Sequence, residues 1–110
     1  MPISDDEIDR ALDYLRDNAE KAAQARANRI YLEEYRKSKK AMLMKEAKVE
    51  AISAQERDAY AHPEYLEFLE GLRVAVFEDE KHRFLLQAAN AKIDAWRSEQ
   101  ANQRVMGKIM

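Results

Sequence analysis

Between Ser4 and Tyr60 the chain contains neither glycine nor proline, and its clearest interior break is the dipeptide His62-Pro63. Ala, Glu, Lys, Arg and Gln dominate the first stretch, and these residues give up little freedom in a helix. A proline drives the residue before it out of the helical region and suits the first position of the helix that follows. The expected fold is therefore all-α: a long antiparallel helical hairpin forming one domain over residues 1–110. Its first arm should cover about residues 4–60, its turn 61–63 and its second arm about 63–106.

Ser4-Asp5-Asp6-Glu7 has the form of a capping box, with acids at the positive end of the helix dipole, so the first arm should begin there. Ile8, Leu12, Leu15, Ala19, Ala22, Arg26 and Ile30 follow at helical steps as one stripe. The stripe blurs from Tyr31 through Lys40, and Met42, Leu43, Ala47, Ala51 and Ala54 resume on a face of their own, which places a kink or a shift of stripe near Ser38.

In the second arm Phe68, Leu72, Ala75, Asp79, His82, Leu86, Ala89, Ile93, Trp96, Gln100 and Gln103 alternate steps of 4 and 3 without interruption, and Val76 widens that seam. Such a heptad predicts coiled-coil-like packing. We expect Phe68, Leu72, Val76, Leu86, Ile93 and Trp96 to form the interface of a homo-oligomer. Gly71 suggests a close helix contact, and Gly107 the left-handed cap that ends the helix. If the arms return at His62, residue i lies near residue 123 minus i. That sets Asp5, Asp6 and Glu7 beyond or beside the basic end at Arg97, Arg104 and Lys108, and Arg36 to Lys48 level with Glu78, Asp79 and Glu80 as well as Lys81 and Arg83.

Charged residues make up 36% of the chain and the net charge is -2, nearer a long-helix protein than a compact globule. Elongated helices bury little surface per residue, which again argues for assembly with other subunits. No cysteine is present, so disulfides and thiolate chemistry are excluded. The acidic start is no secretory signal and no apolar run is long enough to span a bilayer, so a cytoplasmic protein without membrane contact is expected.

Nine Lys or Arg fall between residues 21 and 48, and Tyr31 and Tyr35 are interleaved with Arg36, Lys37, Lys39 and Lys40, followed by Lys45 and Lys48. Cations for phosphates and aromatic faces for bases are what single-stranded nucleic acid requires. On a long helix the same charges also serve as a solvated face or pair with the acidic arm. A second group, Trp96, Arg97 and Arg104, could supply an aromatic and guanidinium contact, although Trp96 sits on the seam. His62 belongs to the turn, and His82 beside Asp79 is expected to be a hydrogen-bonded core residue. No metal-ligand spacing, phosphate-cradling glycine loop or nucleophile signature is present, so neither a cofactor, a metal nor catalysis is expected.

The stretch from Lys40 through Ala51, continuing through Ala59-Tyr60, Tyr65 and Leu69 to the helix Leu85-Leu86-Gln87-Ala88-Ala89-Asn90, which runs on to Asn102, resembles small phage-encoded helical proteins, in particular the UvsY-type recombination mediators. The likeness covers about residues 38–105. It implies a non-enzymatic oligomer in the host cytoplasm that binds single-stranded DNA, remodels a single-strand-binding protein and helps load a RecA-like recombinase. Carried onto this chain, Lys37, Lys39, Lys40, Lys45, Lys48, Arg97 and Arg104 would contact DNA. The rival reading is a phage scaffold, adaptor or inhibitor that acts only through protein contacts, its charge blocks pairing between subunits.

Overall fold

The computed structural model describes residues 2–109, and every regular element among them is a helix: α1 (Asp5–Glu46), α2 (Ile52–Ala61) and α3 (Pro63–Ile109). No helix among these residues is long and apolar enough to cross a membrane.

Local chemistry accounts for the two marked helix starts. At the head of α1 the Glu7 backbone N–H donates to Ser4 Oγ at 3.2 Å, and Asp5, Asp6 and Glu7 occupy the first turn. The cap satisfies an orphan donor and the acids complement the dipole. At the head of α3 the cap is His62, whose backbone is extended and whose Nδ1 accepts the Glu64 N–H at 3.0 Å. Its carbonyl accepts from Tyr65 and Leu66 at 3.0 and 3.1 Å, and Pro63 takes the first helical position.

The first arm is not continuous. It stays helical through Ser38, stops at Glu46 and restarts at Ile52 with no glycine or proline to mark the gap. Gln55 holds the intervening segment: its Nε2 donates to the Val49 carbonyl at 3.0 Å and to the Glu50 carbonyl at 3.4 Å. Packing supplies the reason for the gap. Leu43 and Ala59 are sixteen positions apart, which in an unbroken helix is about 24 Å. With the break they join Tyr65 in one buried cluster, Leu43 at 3% and Ala59 at 1% exposure. The glycines also differ from expectation. No glycine has a positive φ, the helix runs through Gly107 to Ile109, and a Cβ added at Gly71 would meet nothing within 4 Å.

The chain divides into two compact units, one built from residues up to Ala22 with those from Lys81 onward, the other from Ala23–Glu80. In the first, Ile8 and Ala11 of α1 bury against Ile93 of α3, with Ile3, Leu15, Ala89 and Trp96 packed around them. The Ile3 N–H donates to a Glu99 carboxylate oxygen at 3.0 Å, and Lys92 lies 3.9 Å from Glu7. In the second, α1 and α3 again run antiparallel, joined through α2 as a helical hairpin. Met44 and Leu69 pack on the Leu43 cluster, and Arg29 Nη1 reaches Asp79 at 3.2 Å and Glu80 at 2.9 Å.

These contacts correct the register. Lys39 meets Glu64, and Ile8 packs on Ile93, well short of 123 minus i in both units. Residues 47–51 and α2 lie within the connection, so α1 has already ended before the chain reaches His62. The basic run accordingly finds Glu56 and Glu64 rather than Glu78 to Glu80. The heptad of α3 is present as expected: from Phe68 to Gln100 every seam position is buried or half-buried, and only Gln103 is exposed.

Candidate nucleic-acid interface

The basic and aromatic residues of the second unit meet where the last turns of α1, α2 and the first turns of α3 converge. Helical spacing stacks Tyr31 on Tyr35, ring centroids 6.0 Å apart and planes 18° from parallel. The ring contacts then cross between helices, from Tyr35 to Phe68 at 5.7 Å, Phe68 to Tyr65 at 6.4 Å, and Tyr65 edge-on to Tyr60 at 5.4 Å. Only the ends of this ladder open to solvent, Tyr31 at 65% and Tyr60 at 46% exposure. Lys40 Nζ sits 4.7 Å over the Tyr60 ring, a cation on the negative face of an aromatic.

The fold splits the basic run between two sides of α1. On one side Lys39 lines a concavity of about 420 Å³ with Tyr35, Phe68 and two acids, Glu64 and Glu67. Its ammonium donates to Glu64 at 3.0 Å, and that bond is the first cause of the upward displacement of the Lys39 pKa and of the downward displacement of the Glu64 carboxyl. On the other side Arg36, Lys37 and Lys40 surround Tyr60 and Tyr65 in a concavity of about 350 Å³. Tyr60 is the first cause holding the Lys40 ammonium above its ordinary value, with Glu56, 3.5 Å away, a further one. Lys37 is loosely paired with Glu34 at 3.5 Å, both side chains well exposed, whereas Arg36 has no ion pair among the described residues.

Of the residues singled out in the sequence, Arg36, Lys37 and Lys40 are thus gathered into one cationic recess, and Lys39 is drawn to an acidic one. Lys45 and Lys48 are exposed and line neither. Arg97 and Arg104 do come together, in the first unit, around a concavity of about 360 Å³ that Trp96 and Gln100 complete. There Trp96 Nε1 is buried without a hydrogen-bond partner among the described residues, and Arg97 lies 3.8 Å from Asp94. Ile93 and Trp96 pack against their own chain's α1, Leu72 is buried, and Phe68, Val76 and Leu86 are half-buried. His82 Nδ1 also lacks a partner among the described residues, contrary to the hydrogen-bonded role expected of it, and Asp79 binds Arg29 instead.

Sequence reasoning placed no binding role on Tyr60 by its own chemistry. Nothing local marks it: twenty positions separate it from Lys40, and only the return through α2 sets one over the other. Among the described residues no group of three or more His, Cys, Asp or Glu could hold a metal ion. No protein-family model, curated protein or solved structure matches the chain.

Proposed function

We propose that this chain is a non-enzymatic binding protein for single-stranded nucleic acid, and that the recess of Arg36, Lys37, Lys40, Tyr60 and Tyr65 is its contact site. The observation that carries the reading is that recess: three cations around an exposed tyrosine edge. Backbone phosphates supply affinity to the cations, and a splayed base finds a stacking face at Tyr60 on α2, with Tyr31 on α1 a second exposed face at the other end of the ring ladder. Because Lys39 and Lys40 are already engaged by Glu64 and Glu56, each copy binds weakly, and useful affinity comes from several copies on one strand. Single-stranded DNA in a recombination setting, with a RecA-like recombinase and a single-strand-binding protein as partners, is the role the UvsY-type resemblance implies. It is carried as part of this proposal.

Anisotropy titrations of a labelled oligothymidylate against increasing salt test it. Three phosphate contacts on a single strand give a slope of log affinity on log salt of about -2. Absence of binding at low salt removes the reading.

The rival is a module that acts through protein contacts alone. It is favoured by the neutralisation of Lys39 and Lys40 within the chain and by the net charge of -2. It requires stable complexes with protein and none with an oligonucleotide.

A further inference from the structure

We propose that two copies of this chain pair antiparallel through the outer face of α3 in the first unit, about a two-fold axis between residues 96 and 97. The pairing does not rest on nucleic-acid binding and uses a face other than the Phe68 to Trp96 seam.

A helix that packs on one neighbour needs one apolar stripe. In this unit α3 carries that stripe and a second one, free of charge and apolar but for Ser98 and Asn102. The first holds Ile93 and Trp96 and is covered by α1. The second starts at Phe84 and runs in steps of 4 and 3 through Ala88, Ala91, Ala95, Ser98, Asn102 and Val105 to Ile109. Its positions fall on the opposite side of the helix from Ile93, and all eight are exposed, Phe84 at 60% and Ile109 at 78%. No charge interrupts them. A charge-free 4-3 repeat sustained over that length on a solvent-facing surface is the pattern of a helix seam without its mate.

The occupant is a second copy because the stripe is complementary to itself. With residue i set against residue 193 minus i of the other chain, Phe84 meets Ile109 of the second copy and Ala88 meets its Val105. The small residues Ala91, Ala95 and Ser98 fall at the centre, where the two backbones come closest. The flanks agree. On this flank facing positions are offset by two residues from that register, so Leu85, itself exposed, meets Met106 of the second copy, and Lys92 meets its Glu99, a cation against a carboxylate. Two-fold symmetry makes each of these pairs twice. Among the described residues of its own chain Lys92 pairs with Glu7 at 3.9 Å, a distance that leaves it available to a closer partner. A parallel pairing of the same stripe instead brings Asp94 beside Glu99 of the second copy, like charge against like, and flanking charges of this kind set helix orientation.

Sedimentation equilibrium of the full chain without nucleic acid is expected to give twice the 12.8 kDa chain mass. Ala91→Glu, at an exposed position, should return the mass to that of a single chain with the helical circular dichroism unchanged. Because the chain has no cysteine, register is read separately by disulfide trapping. Ala95→Cys chains mixed with Ser98→Cys chains should cross-link in a glutathione buffer, whereas Ala88→Cys mixed with Ala91→Cys should not. A single-chain mass for the unaltered protein, a dimer that survives Ala91→Glu, or equal cross-linking of the two mixtures overturns the proposal. Should Ala91→Glu not fold, the cysteine mixtures decide it. Since mass and cross-linking are read without an oligonucleotide, failure here is distinct from failure of nucleic-acid binding.

Discussion

Lys39 and Glu64 meet at 3.0 Å across twenty-five residues of chain, tying the last turns of α1 to the first turn of α3. The pair removes one cation from what the sequence presents as a continuous basic run. It turns that residue toward an acidic recess and leaves Arg36, Lys37 and Lys40 to form the cationic one.

This pair has a definite pH signature. The Glu64 carboxyl is lowered from 4.5, so its contribution to stability is present above that value and is lost as pH falls through the lowered one. The Lys39 ammonium is raised from 10.5, so its contribution is present below that value and is lost as pH rises through the raised one. The difference in urea midpoint between the unaltered chain and Glu64→Gln should therefore be constant between these limits and shrink toward acid pH. A difference that grows on acidification would contradict the assignment.

Leu43 should be the costliest side chain to truncate in the second unit. Leu43→Ala leaves a cavity beneath Ala59 and Tyr65 and is expected to lower unfolding free energy by about 2–5 kcal/mol. Met42→Ala, at the exposed neighbouring position, should stay within about 0.5 kcal/mol. Urea melts of the two variants compare them directly.

Gly71 lies inside α3 with open space where its Cβ would be. Gly71→Ala should stabilise the chain by about 0.5–1 kcal/mol through the entropy of the unfolded state. A lower thermal midpoint would show a contact at this position after all.

In the proposed interface Tyr60→Ala should weaken oligonucleotide binding by about 1–3 kcal/mol. Among the described residues Arg36 has no ion pair to lose, so Arg36→Glu should reduce both affinity and salt slope with the melting temperature unchanged. Anisotropy and thermal melts, run in parallel on both variants, separate binding from folding.

Much of the fold was legible because it is periodic. The 4-3 spacing from Phe68 onward marks the covered side of α3, and Ser4 and Pro63 mark two helix starts by local chemistry. The gap at residues 47–51 was not legible, since it is made by distant packing: Leu43 and Ala59 cannot share a cluster without it, and the Gln55 amide that holds it resembles any other helical glutamine in sequence. Missing that gap shifted the register, and with it the partners assigned to every cation from Arg36 to Lys48. The site was half legible for the same reason. Arg36, Lys37 and Lys40 stand out as a run, but Tyr60 joins them only through the return of the chain.

At ten residues α2 is shorter than a helix that persists by itself in water, and it lacks a side-chain cap at Ala51. Its existence is thus conditional on Leu43 and Tyr65 being in place around Ala59. Since Tyr60 is carried by α2, the aromatic wall of the cationic recess depends on that same packing. Helical α1 and α3 alone therefore do not make the recess, which also needs Leu43, Ala59 and Tyr65 to be brought together, and helical content does not report on it.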